Sequence, residues 1–416
     1  MLRALYNLLL HLVLPFLPLR LWWRGRREPG YRADWAQRFG LRYAPRPEGP
    51  LIWVHAVSLG ETRAAASLVR ALRERFPGHR LLVTQMTATG RAAAQELYGG
   101  FAEIAWLPYD YPWAMRRFLA HYRPALAVLM ETELWPNLVA QCRRQGVPVA
   151  LVNARLSARS ARGYARLGRF ARRMFAEVTR IAAQSDDDAA RFRGLGACDV
   201  HVTGNVKFDM TPPPDTPARA AALRALYGER PVLLFASTRE GEETLILDAL
   251  DRAPPGEEVL VVIVPRHPQR FDEVAALLAK RGAYVRRSES RPVPAACRYV
   301  LGDSMGEMAA YYAACEVAFI GGSLLPYGAQ NLIEACAAGA PVLIGPSTFN
   351  FAQAAAGAIE AGAAVQVRDA DEAVGQAAAL LRDASKRAAM REAGLRFTAA
   401  HRGATERTLA LLESLI

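Results

Sequence analysis

Residues 316–337 read EVAFIGGSLLPYGAQNLIEACA. Val317 to Ile320 is a short apolar run, and it stops at Gly321-Gly322-Ser323. Gly328 follows, and a helical pattern opens near Gln330 and Asn331 with Glu334 one turn in. A strand that ends in glycines and passes into a helix is half of a βαβ unit. Glycines let the backbone approach a ligand closely, and a helix start offers free N–H groups to an anion. A carboxylate one turn further can accept hydrogen bonds from ribose hydroxyls. The stretch therefore reads either as a nucleotide-binding loop or as a plain strand-to-helix turn, and spacing alone leaves both open.

The same rhythm extends in both directions. Strands are expected at 51–56, 80–85, 102–106, 125–130, 148–152, 180–184 and 199–203, with helical stretches such as 61–76 and 162–175 between them. Thr211-Pro212-Pro213-Pro214-Asp215 interrupts the pattern, as a linker would. Alternation resumes at 232–237, 259–264, 283–286, 298–301, 317–320, 341–344 and 363–367, and the chain ends in helices near 371–384 and 387–415. The expected fold class is α/β: two Rossmann-like, doubly wound domains with an active site between them at the carboxyl ends of the strands.

The 416 residues suffice for two such domains, and 52% are hydrophobic, which excludes a disordered chain. The net charge of +12 is mostly arginine and calls for an anionic partner: nucleic acid, a membrane surface or a phosphorylated substrate. A nucleic-acid-binding protein would need a basic face interleaved with aromatics, whereas here the basic residues are scattered over helices. Five cysteines without a CxxC pair read as buried thiols, not as a metal site or disulfides. No HExxH, GxSxG or GK[ST] pattern is present. Residues 4–23, ALYNLLLHLVLPFLPLRLWW, are strongly apolar and run into Arg24, Arg26 and Arg27. Tryptophans beside arginines suit a membrane interface, so residues 1–28 are expected to anchor the chain, spanning or lying in the interface.

Several loops at expected strand ends carry polar groups. In WVHAVSLGETRAA (53–65), Gly60 is expected to make a tight turn. Glu61 there is either a capping-box residue paired with Ser58 or a catalytic carboxylate, kept ionised by its helix start. Similar capping pairs are expected at Ser185/Asp188, Ser237/Glu240 and Ser304/Glu307. METELWPN (130–137) places Glu131 and Glu133 after a strand, and LVNARLSARSARGY (151–164) offers Asn153, Arg155 and Ser157. These are acceptor-side candidates, with a solvated basic helix start as the other reading of 151–164. Ser185-Asp186-Asp187-Asp188 reads as a capped helix start in preference to a metal cluster. In the second half, Arg239 and Glu242, Arg266 and His267, and Met305, Gly306 and Glu307 follow three strands; with Gly322, Ser323, Asn331 and Glu334 they would ring one pocket.

Taken together, these motifs resemble the Kdo (3-deoxy-D-manno-octulosonic acid) transferases of lipopolysaccharide synthesis. They are HAVSLGE (55–61), ETELWPN (131–137), NARLSARS (153–160), TGNVKFD (203–209), STREGEE (237–243), PRHPQRF (265–271), MGEM (305–308), GGS (321–323), NLIEA (331–335) and GPSTFNF (345–351). The resemblance implies an inverting GT-B glycosyltransferase of the inner membrane, with its catalytic domains on the cytoplasmic side. It implies a membrane anchor at 1–28, an acceptor domain at 29–208, a linker at 209–230, a CMP-sugar domain at 231–400 and a final helix, 401–416, packing back on the first domain. The donor would be CMP-Kdo, the acceptor a phosphorylated lipid A precursor, with no metal, cofactor or nucleic acid required. Glu61 matches the family's general base. The chain departs from the family's Gly-Gly-His-Asn, reading Gly328-Ala329-Gln330-Asn331. Other GT-B membrane glycosyltransferases and nucleotide-sugar 2-epimerases are the enzymatic alternatives.

Overall fold

The computed structural model describes residues 2–45 and 48–416. It divides into two compact units, one of Met1–Met210 with Arg402–Ile416 and one of Thr211–His401. In the first, strands β1 (Leu51–His55), β2 (Arg80–Gln85), β3 (Ala102–Trp106), β4 (Leu126–Met130), β5 (Val149–Ala154), β6 (Arg180–Ala183) and β7 (Val200–Val202) form a parallel sheet in the order β3-β2-β1-β4-β5-β6-β7. In the second, β8 (Val232–Thr238), β9 (Leu260–Pro265), β10 (Tyr284–Arg286), β11 (Tyr299–Leu301), β12 (Val317–Ile320), β13 (Val342–Ile344) and β14 (Ala364–Gln366) form another, ordered β10-β11-β9-β8-β12-β13-β14. Every expected strand is present, because runs that are apolar on both faces can only be buried in a doubly covered parallel sheet. Along β1 the side chains alternate: Leu51 and Trp53 enter one core, Ile52 and Val54 the other.

In each sheet the winding direction reverses once, between β1 and β4 and between β8 and β12. Open α/β sheets bind ligands at such switch points, outside the carboxyl ends of the strands. The strands bearing HAVSLGE and ETELWPN are therefore neighbours, as are those bearing STREGEE and GGS.

The helices depart from expectation more than the strands. The stretch 61–76 is two helices, Leu59–Ala64 and Ala66–Arg75, and 162–175 is Ala158–Ala165 and Arg169–Ala176, separated at Gly168 with φ 52°. The proposed linker, 209–230, is largely helical: Thr216–Tyr227 buries Ala220, Leu223 and Tyr227 in the second unit, and Pro214-Asp215 turn into it. The expected helix 387–415 breaks at Gly403, φ 90°. Ala384–Ala400 ends the second unit, and Ala404–Glu413 belongs to the first. There Leu409 and Leu412 join the core of Val69 and Leu72. The Asp209 carboxylate accepts from the N–H groups of Gly403 and Thr405, each at 2.6 Å, and Arg75 pairs with Glu406 and Glu413. At the other end, helices Leu2–Val13 and Phe16–Arg27 are bent by 57°. Among the described residues no single helix is long and apolar enough to cross a membrane; this bent pair passes by length and composition.

Candidate functional site

In the first unit, β1 ends at His55 and the helix Leu59–Ala64 begins with Ser58 as its cap. The Ser58 hydroxyl accepts from Glu61 N at 3.4 Å and donates to Glu61 Oε1 at 3.0 Å; Glu61 Oε2 accepts from Val57 N at 2.8 Å. The cap exists, but the backbone N–H that the carboxylate binds is that of Val57 and not that of Ser58. Gly60 makes no tight turn: it lies in the first helical turn without a positive φ, and a side chain there would meet only Ser58 Oγ, at 3.9 Å. What its missing side chain provides is open space beside Glu61.

Glu61 was expected to sit low in pKa, and this is corrected. Burial pushes it up to about 7, the Val57 N–H opposes, and the carboxylates of Glu131 and Glu133 add to the rise. A helix of six residues has too small a field to outweigh desolvation beside two acids.

Glu131 behaves in the opposite way. Burial alone would raise it, but Lys207 Nζ at 3.0 Å and Arg155 Nε at 2.9 Å hold it below the ordinary carboxylate range. Glu133 is raised by burial, against the indole N–H of Trp135 at 2.9 Å. Glu131 and Asn153 both adopt positive φ, 54° and 51°, at the ends of β4 and β5, which strains the glutamate more than the asparagine. Asn153, an acceptor-side candidate, lies inside the protein. It is fully buried, and its Oδ1 accepts from Val206 N at 3.2 Å while its carbonyl accepts from Gln184. Ser157 is an exposed helix cap for Ser160 N, at 3.1 Å. Ser185 likewise caps its helix, and Asp188 accepts from Leu156 N at 2.8 Å, so the acidic run is a helix start.

In the second unit, the loops after β11, β9, β8 and β12 are neighbours along one sheet edge, as expected. Arg239 stacks over Tyr327 at 4.6 Å, and Arg266 Nε donates to Gln330 Oε1 at 3.1 Å. His267 is exposed; burial of part of its ring and the charges of Arg239, Arg266 and Arg270 push its pKa down. A cationic cluster thus faces this edge, while Arg270 itself is paired with Glu243 at 2.6 Å.

Four groups expected around this pocket are committed to protein partners in the structure. Glu242, expected at the cleft, is fully buried and binds backbone: Oε2 accepts from Arg239 N at 2.8 Å and Gly322 N at 2.6 Å, and Oε1 from Leu324 N at 2.9 Å. The N–H of Gly322 is thereby committed to protein and not to phosphate. Ser323 is also fully buried; its hydroxyl donates to Ile320 O and accepts from Gly345 N at 2.8 Å, tying β12 to the end of β13. Glu307 caps no helix box; it pairs with Arg287 at 3.1 Å, while Ser304 meets the Tyr311 hydroxyl at 2.9 Å. The Ser237/Glu240 box is absent too, because Ser237 takes φ 56° within β8 and Gly241 starts the helix.

Met305 is exposed, and Gly306 makes a turn at φ 77°. Asn331 caps the helix Leu332–Ala337 and donates to Glu334 Oε1 at 2.9 Å, which fixes that carboxylate. Sequence reasoning missed Lys207 as the second cation on Glu131, although it stands in the TGNVKFD motif. It also missed Gln330 as the partner of Arg266, since the two are 64 positions apart.

Comparison with known proteins places the chain in a family. Residues 33–210 fit the family model described as 3-Deoxy-D-manno-octulosonic-acid transferase (kdotransferase). A 3-deoxy-D-manno-octulosonic acid transferase of Bordetella pertussis is 48% identical over 425 residues, covering 99% of each chain. That of Haemophilus influenzae is 35% identical over 399 residues, 93% of this chain and 92% of its own. Among solved structures, the UDP-GlcNAc 2-epimerase of Neisseria meningitidis superposes with a TM-score of 0.60 over 88% of this chain and 100% of its own; at 14% identity it shares the GT-B fold alone. The epimerase alternative therefore rests on fold only, whereas the sequence likeness runs through the whole chain: it belongs to the 3-deoxy-D-manno-octulosonic acid transferase family of glycosyltransferases.

Proposed function

We propose that the chain transfers Kdo from CMP-Kdo to a hydroxyl of a phosphorylated lipid A precursor, with inversion and with Glu61 as general base. The observation that carries this reading is a carboxyl held at about 7 at the switch point of the first sheet, in the position of the family's base. A base with that pKa is about half ionised at neutral pH, and its ionised form is basic enough to accept a proton. In the step itself, the acceptor O–H passes its proton to Glu61 as its oxygen bonds to the anomeric carbon. The bond from that carbon to the phosphate oxygen breaks on the opposite face, and CMP leaves with the electron pair.

Arg239 and Arg266 meet the negative charge that grows on the departing phosphate, with His267 beside them. Glu334, fixed by Asn331, receives the ribose hydroxyls, and the turn at Met305-Gly306 lies beside the base. On the acceptor side, Arg155 and Lys207 keep Glu131 ionised, so that its charge supports the raised pKa of Glu61. The net positive charge and the apolar residues 2–23 suit an enzyme at the cytoplasmic face of the inner membrane, where the lipid acceptor resides. No step calls for a metal ion or a cofactor.

The test is incubation with CMP-Kdo and a lipid A precursor, read by mass spectrometry of the lipid. The chain as described adds the mass of a Kdo residue and Glu61→Gln does not, while CMP still raises the melting temperature of both. Lipid modification by Glu61→Gln at the normal rate would overturn the assignment.

A further inference from the structure

The helix pair Leu2–Val13 and Phe16–Arg27 has two dissimilar sides. One is bonded to the first unit from Arg3 to Leu10 and packed on it as far as Leu17. Arg3 donates to Glu177 and to the carbonyl of Pro136, at 3.3 and 3.2 Å. The Tyr6 hydroxyl donates to Asp110 at 3.0 Å, Asn137 donates to Asn7 at 2.7 Å, and Tyr111 donates to the carbonyl of Leu10 at 2.6 Å. Leu10, Leu14 and Leu17 then pack against Tyr111 and Ala114. Positions 3, 6, 7, 10, 14 and 17 are one helical face, continued across the bend.

The other side is apolar and bare. Leu8, Leu12, Phe16, Leu19 and Trp23 are each 57–65% exposed, more than isolated surface hydrophobes require. Arginines edge this stripe, with Arg26 over the Trp22 ring at 4.5 Å and Arg27 over the Trp23 ring at 5.6 Å. Neither helix contains an acidic residue.

We propose that this pair lies in the plane of the membrane, as a wedge docked on the catalytic body, and does not cross. The inference rests on the membrane reading above and adds its geometry. Its occupant is the headgroup–acyl boundary of an anionic leaflet: the stripe supplies apolar area, the arginines meet lipid phosphates, and the two tryptophans sit at the headgroup level. Crossing is excluded by the tether. Each helix has 12 residues, about 18 Å at the α-helical rise, against a hydrocarbon core of roughly 30 Å. A straightened pair would carry Arg3, Tyr6 and Asn7 to the far side, away from Glu177, Asp110 and Asn137. That would strand a buried Asp110 whose other partners are the backbone N–H groups of Asn137 and Leu138. The wedge holds the body that bears Glu61 at a fixed height over the leaflet.

The test uses the full chain with Cys198→Ser, which removes the one exposed thiol among the described residues. Single cysteines at Leu5, Leu12 and Leu19 carry an environment-sensitive fluorophore, and the protein is bound to phosphatidylglycerol vesicles with nitroxide lipids quenching either near the headgroup or near the chain ends. The in-plane wedge predicts that the shallow quencher acts most strongly at all three positions. Strongest quenching of the Leu12 position by the deep nitroxide means that the pair crosses; this overturns the wedge and leaves the membrane reading intact. If neither nitroxide quenches any position and the chain fails to float with the vesicles, the membrane reading falls, and the wedge with it.

Discussion

Each unit follows its first strand with a glutamate at a helix start, Glu61 after β1 and Glu242 after β8, and in both burial raises the carboxyl pKa. The two nevertheless have opposite fates. Glu242 is wholly enclosed and takes three backbone N–H groups, so its oxygens are committed to holding the loop 321–324. Glu61 takes one backbone N–H and one hydroxyl, lies beside a glycine that leaves space open, and faces two further acids. A carboxylate whose lone pairs are bound to backbone serves structure; one that keeps a proton-accepting position and a pKa near neutrality can do chemistry.

The largest effect that would sharpen this contrast is on rate. Glu61→Gln should lower turnover by about a hundred- to ten-thousand-fold, the usual worth of a positioned base. Stability should not fall with it. Because the folded pKa is raised, Glu61 favours the folded state below its ordinary value of 4.5, and that contribution is lost as pH rises through about 7. At pH 8 the amide removes the cost of a buried charge, so the melting temperature of Glu61→Gln should equal or exceed that of the parent. A large drop would make Glu61 a structural cap like Glu242. The same protonation governs catalysis: kcat should fall tenfold for each pH unit below about 7 and level off above it, and a flat profile down to pH 5 breaks the assignment.

The second effect belongs to the other carboxylate. Glu242→Ala leaves the buried N–H of Gly322 and the half-buried N–H groups of Arg239 and Leu324 without their acceptor, at up to about 1–3 kcal/mol each before relaxation. Chemical denaturation of the full chain should show the second unit weakened by several kcal/mol, with the KM for CMP-Kdo raised more than kcat is lowered. An unchanged midpoint would mean that the loop 321–324 holds itself.

The smaller donor-side contrast concerns Gln330. Its side chain receives Arg266, which it can do at any pH, whereas a histidine in its place would repel that arginine once protonated. Gln330→Ala should raise the donor KM by about fivefold, the equivalent of about 1 kcal/mol, with little change in kcat. Gln330→His should match the parent at pH 8 and lose donor affinity near pH 6.

The strands and the motif-bearing loops were legible because their signals are local: apolar runs, glycines, and polar residues at fixed offsets. What was not legible depends on distance. That Glu61 titrates high is set first by its burial in the folded unit and then by Glu131, 70 positions away, which is in turn held ionised by Lys207. Ser323 and Glu242 look like ligand groups in sequence because phosphate loops and loop-pinning networks use the same residue types; only the partners Gly345, Gly322 and Leu324 separate the two. The helix breaks at Gly168 and Gly403 were visible as glycines, but not as the places where the backbone turns left-handed.

Backbone strain extends the comparison to its finest level. In the first unit positive φ occurs at strand ends in Glu131 and Asn153, and in the second at Ser237 in β8 and at Ala329 in the loop after β12. An asparagine adopts this conformation readily, whereas alanine gains nothing locally to offset the clash of its Cβ. Ala329 holds φ 65° because the loop is pinned around it: its N–H donates to Gly322 O at 2.6 Å and that of Gln330 to Gly321 O at 3.0 Å. Ala329→Gly would relieve about 1 kcal/mol of strain and return part of it as freedom of the unfolded chain, for a net gain of about 0.5 kcal/mol. That amounts to a rise of about 1–2 °C in the melting temperature of a unit this size. The donor KM should stay within twofold, since the pinned hydrogen bonds involve only backbone atoms of residues 321, 322, 329 and 330. A fall in melting temperature would show that the alanine methyl, buried in this loop, contributes more by packing than its backbone conformation costs.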